Sequence, residues 1–167
     1  MDSAQGLAPP TGTAHRLTVV REMAVMPRQI YRAWTEGIDS WFAEPGHAIM
    51  RARKGEPFVF QTLHEGKHHT HHGRILELVP DRLVELTWAT GRGGTEGAET
   101  IVRVEIEPRT DGSLLRLTHS GFHDEAGCRQ HEQAWSEHVL PHLEEVLRGG
   151  KGAARGAGRG ADASLSE

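Results

Sequence analysis

Five of the twelve histidines in this chain fall within nine positions, in the run HEGKHHTHHGR at residues 64–74. Imidazole ligates zinc, nickel and copper, and near neutral pH it takes or delivers protons. As a metal site the run is thin. Strand alternation sends His69 and His71 to one face and His72 and Arg74 to the other. A zinc site takes three or four protein ligands, and no Cys or acidic residue stands beside these histidines at ligand spacing. His131, His138 and His142 share one edge of a C-terminal helix. HEQAW there carries half of the zinc-protease pattern His-Glu-x-x-His, but position 135 is Trp; HVLPH offers two histidines at i, i+4 with Pro between. The histidines read as a polar pocket mouth and a solvated turn, with no metal and no cofactor.

Two other residues invite chemistry. Arg74 shares a face with Leu76 and Leu78 in this reading, where a buried guanidinium needs a ligand anion or an ion pair, with Glu99 or Glu132. His119 shares a face with Leu115 and Leu117 and points inward, while the adjacent Ser120 points away, so no nucleophile–His–acid triad forms. GRGGTEG precedes a strand, not the helix a phosphate loop requires, and reads as a hairpin loop. Cys128, the single cysteine, excludes an internal disulfide and reads as an ordinary thiol early in a helix.

The bulk numbers frame these residues. At 167 residues the chain is long enough for one domain with a real core, and a net charge of −4 gives no field toward nucleic acid or membrane. No transmembrane or signal segment is visible, and a cytoplasmic location is expected. Residues 1–13 and the Gly/Ala-rich 149–167 have no apolar face to bury and read as disordered, leaving a domain over 14–148.

Within that span HRLTVVREMAV reads as a strand, and Pro27 opens a short helix, PRQIYRAWT, followed by a second helical piece, EGIDSWF. Six strands follow: AIMRAR, FVFQTL, GRILELV, RLVELTWAT, ETIVRVEIEP and SLLRLTHS. Val84, Leu86 and Trp88, then Val102, Val104 and Ile106, then Leu115 and Leu117 alternate with polar residues, so the sheet has one buried face. Residues 123–148 form a long helix with Trp135, Val139, Leu143 and Val146 as its apolar stripe and a kink at Pro141. The class is α+β: a curved antiparallel sheet of about seven strands around a long C-terminal helix.

The pieces IYRAWTEGIDSWF, KGEPFVF, HGRILELVPDRLVELTW, ETIVRVEIEP, LLRLTHSGF and HEQAWSEHVLPHLEEVL, in this order, resemble the START-like, or SRPBCC, superfamily. The nearest branch is that of homologues of the heat-shock-protein-90 ATPase activator. Where that family's hairpin usually carries two glycines, this chain has Gly55 and Glu56. The resemblance implies a helix-grip fold with a cavity between helix and sheet.

The resulting expectation is a binder of a small hydrophobic or amphipathic molecule, acting as monomer or homodimer. Its contacts would be Trp41, Phe58, Phe60, His72, Arg74, Trp88, His119, Phe122, Trp135 and Val139. The alternatives are a cyclase or dehydratase, with His119 or His72 as base and Arg74 steadying an enolate, and a co-chaperone-like interaction module.

Overall fold

Val- and Thr-rich Arg16–Met23 forms β1, because β-branched side chains suit a pleated, half-buried surface. Helix α1 (Pro27–Ala33) starts at Pro27, whose missing N–H costs nothing in a first turn, and a 3-10 turn follows at Ile38–Ser40. Six more strands succeed it: β2 (Ala48–Ile49), β3 (Pro57–His64), β4 (Lys67–Val79), β5 (Leu83–Trp88), β6 (Thr100–Arg109) and β7 (Gly112–Ser120). They make one antiparallel sheet in the order β1-β7-β6-β5-β4-β3-β2. These descriptions come from a computed structural model and cover residues 15–91 and 94–149. The segments expected to be disordered lie outside the described residues, apart from Gly149.

The C-terminal helix is built in three pieces. Helix α2 (Glu125–Ala134) is capped by Asp124, whose Oδ1 accepts from the Gly127 amide at 2.8 Å. A π-helical turn occupies Trp135–Val139, and α3 (Leu140–Leu147) completes the grip. The irregularity expected at Pro141 is therefore a widened turn just ahead of it. Pro141 has no N–H to donate to Glu137, and the Leu140 amide reaches back five residues to the Trp135 carbonyl. The far end is tied down by Glu144, which takes Nε of Arg21 at 3.1 Å and the Ala24 amide at 3.0 Å.

The β4 strand departs most from the sequence reading. The turn expected over HEGKHH is only Glu65–Gly66, both with positive φ (50° and 79°), as a two-residue hairpin of the mirror-image type requires. The histidine run is thus strand, not loop. A bulge between Ile75 and Glu77 then breaks the alternation: Ile75 is buried, Leu78 packs partly against the core, and Leu76 gains no inward place. The first half of β4 pairs with β3 and the second with β5, so this bulged strand joins the two halves of the sheet. On β5, β6 and β7 the expected inward residues are all buried.

Gly73 sits at that junction. A Cβ there would lie 2.1 Å from the Thr87 carbonyl oxygen, a backbone atom that cannot step aside. Gly73→Ala is expected to destabilise the fold by about 1–3 kcal/mol, as overpacking does, read as a lower urea midpoint at unchanged slope. An unaltered midpoint would mean β4 and β5 do not approach so closely.

Candidate functional site

The space between helix and sheet is filled with rings. From the helical connection come Trp34, Trp41 and Phe42; from β3 and β5, Phe58, Phe60 and Trp88; from the gripping helix, Trp135. Trp34 lies 5.4 Å from Trp41, 6.4 Å from Trp88 and 5.8 Å from Trp135, centroid to centroid, at tilted or edge-on angles. Such spacings are the favourable range for aromatic pairs. His71 stacks on Phe60 at 4.9 Å and 7°, a pairing set by the β3–β4 register that places the two residues opposite each other.

Through this apolar mass runs one hydrogen-bonded chain. The Trp135 indole can only donate, and it gives its Nε1–H to His119 Nδ1 at 3.1 Å. His119 must then carry its proton on Nε2, which donates to Thr100 Oγ1 at 2.7 Å. Thr100 in turn donates to the Trp88 carbonyl at 2.5 Å. Every polar atom of His119 is occupied, so it has no free lone pair with which to act as a base.

Burial governs the interior imidazoles. It pushes His71 down to about 3 and His119 well below the ordinary range, with the neighbouring His131 adding to the latter. His131 and His142 are lowered by the same desolvation. His131 donates Nδ1–H to the Gly127 carbonyl at 2.8 Å, and His142 gives Nε2–H to the Trp41 carbonyl at 3.2 Å, tying α3 to the loop before β2. Burial and nearby Glu132 and Glu125 push the Cys128 thiol up, away from the nucleophilic thiolate.

The expected contacts divide cleanly. Trp41, Phe58, Phe60, Trp88, His119, Phe122, Trp135 and Val139 are all buried within this interior. His72 and Arg74 are not: both lie exposed on the outer face, and the Arg74 guanidinium donates to the Gly55 carbonyl at 2.8 Å. Their inward placement extrapolated Leu76 and Leu78 backwards across the bulge, which inverts the faces. Sequence reasoning passed over Phe42 and Thr100; it names Trp34 as an aromatic wall candidate, and it weighs His71 and His131 as metal ligands without placing them in the interior. A usable signal existed for His71, which lies across from Phe60 on neighbouring strands.

An antiparallel sheet gripping a C-terminal helix over an aromatic interior defines a START-like helix-grip protein of the α+β class. Residues 24–148 match the family described as Activator of Hsp90 ATPase homolog 1-like protein, and the chain belongs to that family. Among solved structures, the AHSA1 protein from Silicibacter pomeroyi is similar at 24% identity and a TM-score of 0.65, over 80% of this chain and 97% of that one. A protein from Mesorhizobium loti is similar at 20% identity and a TM-score of 0.66, over 80% and 96%. The Aha1 dimer from Colwellia psychrerythraea is similar at 20% and 0.62, over 82% and 98%. At these identities the likeness carries the fold. No curated protein matches the chain. No helix among the described residues is long and apolar enough to cross a membrane.

Two outcomes follow. Thr100→Val keeps the shape but strands the His119 Nε2–H, and should cost about 1–3 kcal/mol in urea unfolding; a neutral effect would dissolve the chain of bonds. The buried imidazoles stay neutral when folded, whereas the unfolded chain protonates them below about pH 6.5. The unfolded state then binds more protons, so stability is full above about pH 6.5 and falls as pH drops toward the folded values, by up to about 1.4 kcal/mol per pH unit for each shielded imidazole. A urea midpoint that stays flat from about pH 7 to about pH 5 contradicts this.

Proposed function

We propose that this chain binds a small hydrophobic or amphipathic molecule between its gripping helix and its sheet. Trp41, Phe58, Phe60, Trp88, His119, Phe122, Trp135 and Val139 would be the contacts. The observation that carries the reading is a set of buried polar atoms without hydrogen-bond partners in that aromatic interior: the indole nitrogens of Trp34 and Trp88, and Nε2 of His131. Each such atom costs about 1–3 kcal/mol while unpaired. A guest carrying a hydroxyl or carbonyl would relieve that cost while its apolar body rests on the rings.

The rings are packed together, so a guest must part them. The π-helical turn at Trp135–Val139 supports that requirement, since such turns loosen the regular ladder where the helix crosses the site. A guest burying about 400 Å² of apolar surface would gain about 10 kcal/mol gross, and association and ring displacement reduce this to a micromolar affinity. The cyclase or dehydratase reading has less support, because His119 lacks a free lone pair and His72 and Arg74 face outward. In this proposal the protein works in the cytoplasm, as a monomer or homodimer, on a small molecule.

The test is native mass spectrometry of untagged, freshly purified protein, with tryptophan fluorescence during titration by medium-chain fatty alcohols. All four tryptophans sit in the interior and report on it. A retained organic mass, or a saturable fluorescence change that weakens in Trp88→Phe, supports the proposal. A bare chain mass together with unresponsive fluorescence overturns it.

A further inference from the structure

Away from the interior, the fold gathers two imidazoles and a carboxylate at one point on the surface. The sequence offers His68 no acidic neighbour at ligand spacing; the fold supplies Glu44 from 24 residues upstream, its Oε1 2.7 Å from His68 Nε2. His47 Nε2 lies 3.9 Å from the same oxygen. The rings of His47 and His68 stack at 4.8 Å and 14°, and all three ligand atoms fall within 4.8 Å of one another.

We infer that Glu44, His47 and His68 form a binding site for a divalent transition-metal ion, with zinc the best match. Zinc bonds of about 2.0–2.1 Å imply ligand–ligand edges of about 3.3 Å in a tetrahedron. The two distances to Glu44 Oε1, 2.7 and 3.9 Å, straddle that edge, so small rotations of exposed side chains close the set. Two nitrogen donors select zinc, nickel, copper or iron over magnesium and calcium, which take oxygen. Three protein ligands leave a fourth position to water.

The surroundings are arranged as a metal site needs. Gln61 Oε1, which can only accept, takes the Nδ1–H of His47 at 3.2 Å, so the lone pair stays on Nε2 on the Glu44 side. Gln61 is oriented in turn by its own amide nitrogen, which donates to Thr70 Oγ1 at 3.3 Å. The loop carrying Glu44 and His47 is stapled to β3 through the Glu44 amide on the Gln61 carbonyl and the Gln61 amide on the His47 carbonyl, both 2.9 Å. His68 is held by its strand pairing with Leu63. Both backbone segments that carry the ligands are therefore fixed before a metal arrives.

This site is independent of the interior ligand proposed above, and the test keeps the two apart. Untagged full-length protein, stripped with chelator and dialysed, is titrated with zinc in a calorimeter, and with cobalt while its visible spectrum is recorded. One zinc per chain and the intense visible bands of tetrahedral cobalt are expected. His47→Ala and His68→Ala should each weaken zinc binding at least about tenfold, and Gln61→Ala about 10–100-fold, as loss of an orienting partner does. His64→Ala and His138→Ala should leave it unchanged. Binding that survives both His47→Ala and His68→Ala, or no saturable uptake at micromolar zinc, overturns the inference; circular dichroism on each variant separates lost ligands from lost fold.

Discussion

Helix and sheet meet mostly through hydrocarbon and ring surface, which attracts without choosing a direction. The directional contact in that dry space is the Trp135 indole donating to His119 Nδ1 at 3.1 Å. It fixes the rotation of the gripping helix against β7 and, by occupying Nδ1, forces the His119 proton onto Nε2. From there the order continues through Thr100 to the backbone of Trp88, so helix, β7, β6 and β5 share one set of bonds. In a low dielectric such a chain is strong when complete and costly when any link is missing. The π-helical turn begins at Trp135 itself, so the residue that sets the direction also marks where the helix departs from regular geometry.

The same interior treats its other polar atoms differently. His119 is fully satisfied, whereas the Trp34 and Trp88 indoles are buried without partners a ring's width away. The satisfied imidazole holds the fold, and under the binding role proposed above the unpaired donors are where a guest would gain. The contrast also explains why a binding role fits this interior better than acid–base catalysis. A general base needs a lone pair facing the substrate, and the lone pair of His119 faces Trp135.

Much of the architecture was legible because simple periods were kept. Val84, Leu86 and Trp88, and likewise Val102, Val104 and Ile106, alternate without interruption, and the structure buries all six. The long helix announced itself through Trp135, Val139 and Leu143. What failed was local. One extra residue at the β4 bulge turned Ile75 inward and left Arg74 outside, and no composition signal marks a bulge in advance. The histidine run looked like a turn because Glu65–Gly66 needs only two residues, leaving the rest for strand. Long-range partners were invisible for a different reason: Thr100 beneath His119, and Glu44 beside His68, meet through sheet register and loop course, which spacing along the chain does not encode.

His119 acts as a neutral hydrogen-bond relay between helix and sheet. Nitrogen-15 NMR of the histidine rings tests it most directly, because the two ring nitrogens report separately on their protons. His119 is expected to hold one tautomer, protonated on Nε2 and bare on Nδ1, and to remain so from about pH 7 down to about pH 5. A proton on Nδ1, a mixture of tautomers, or protonation of His119 within that range would contradict it.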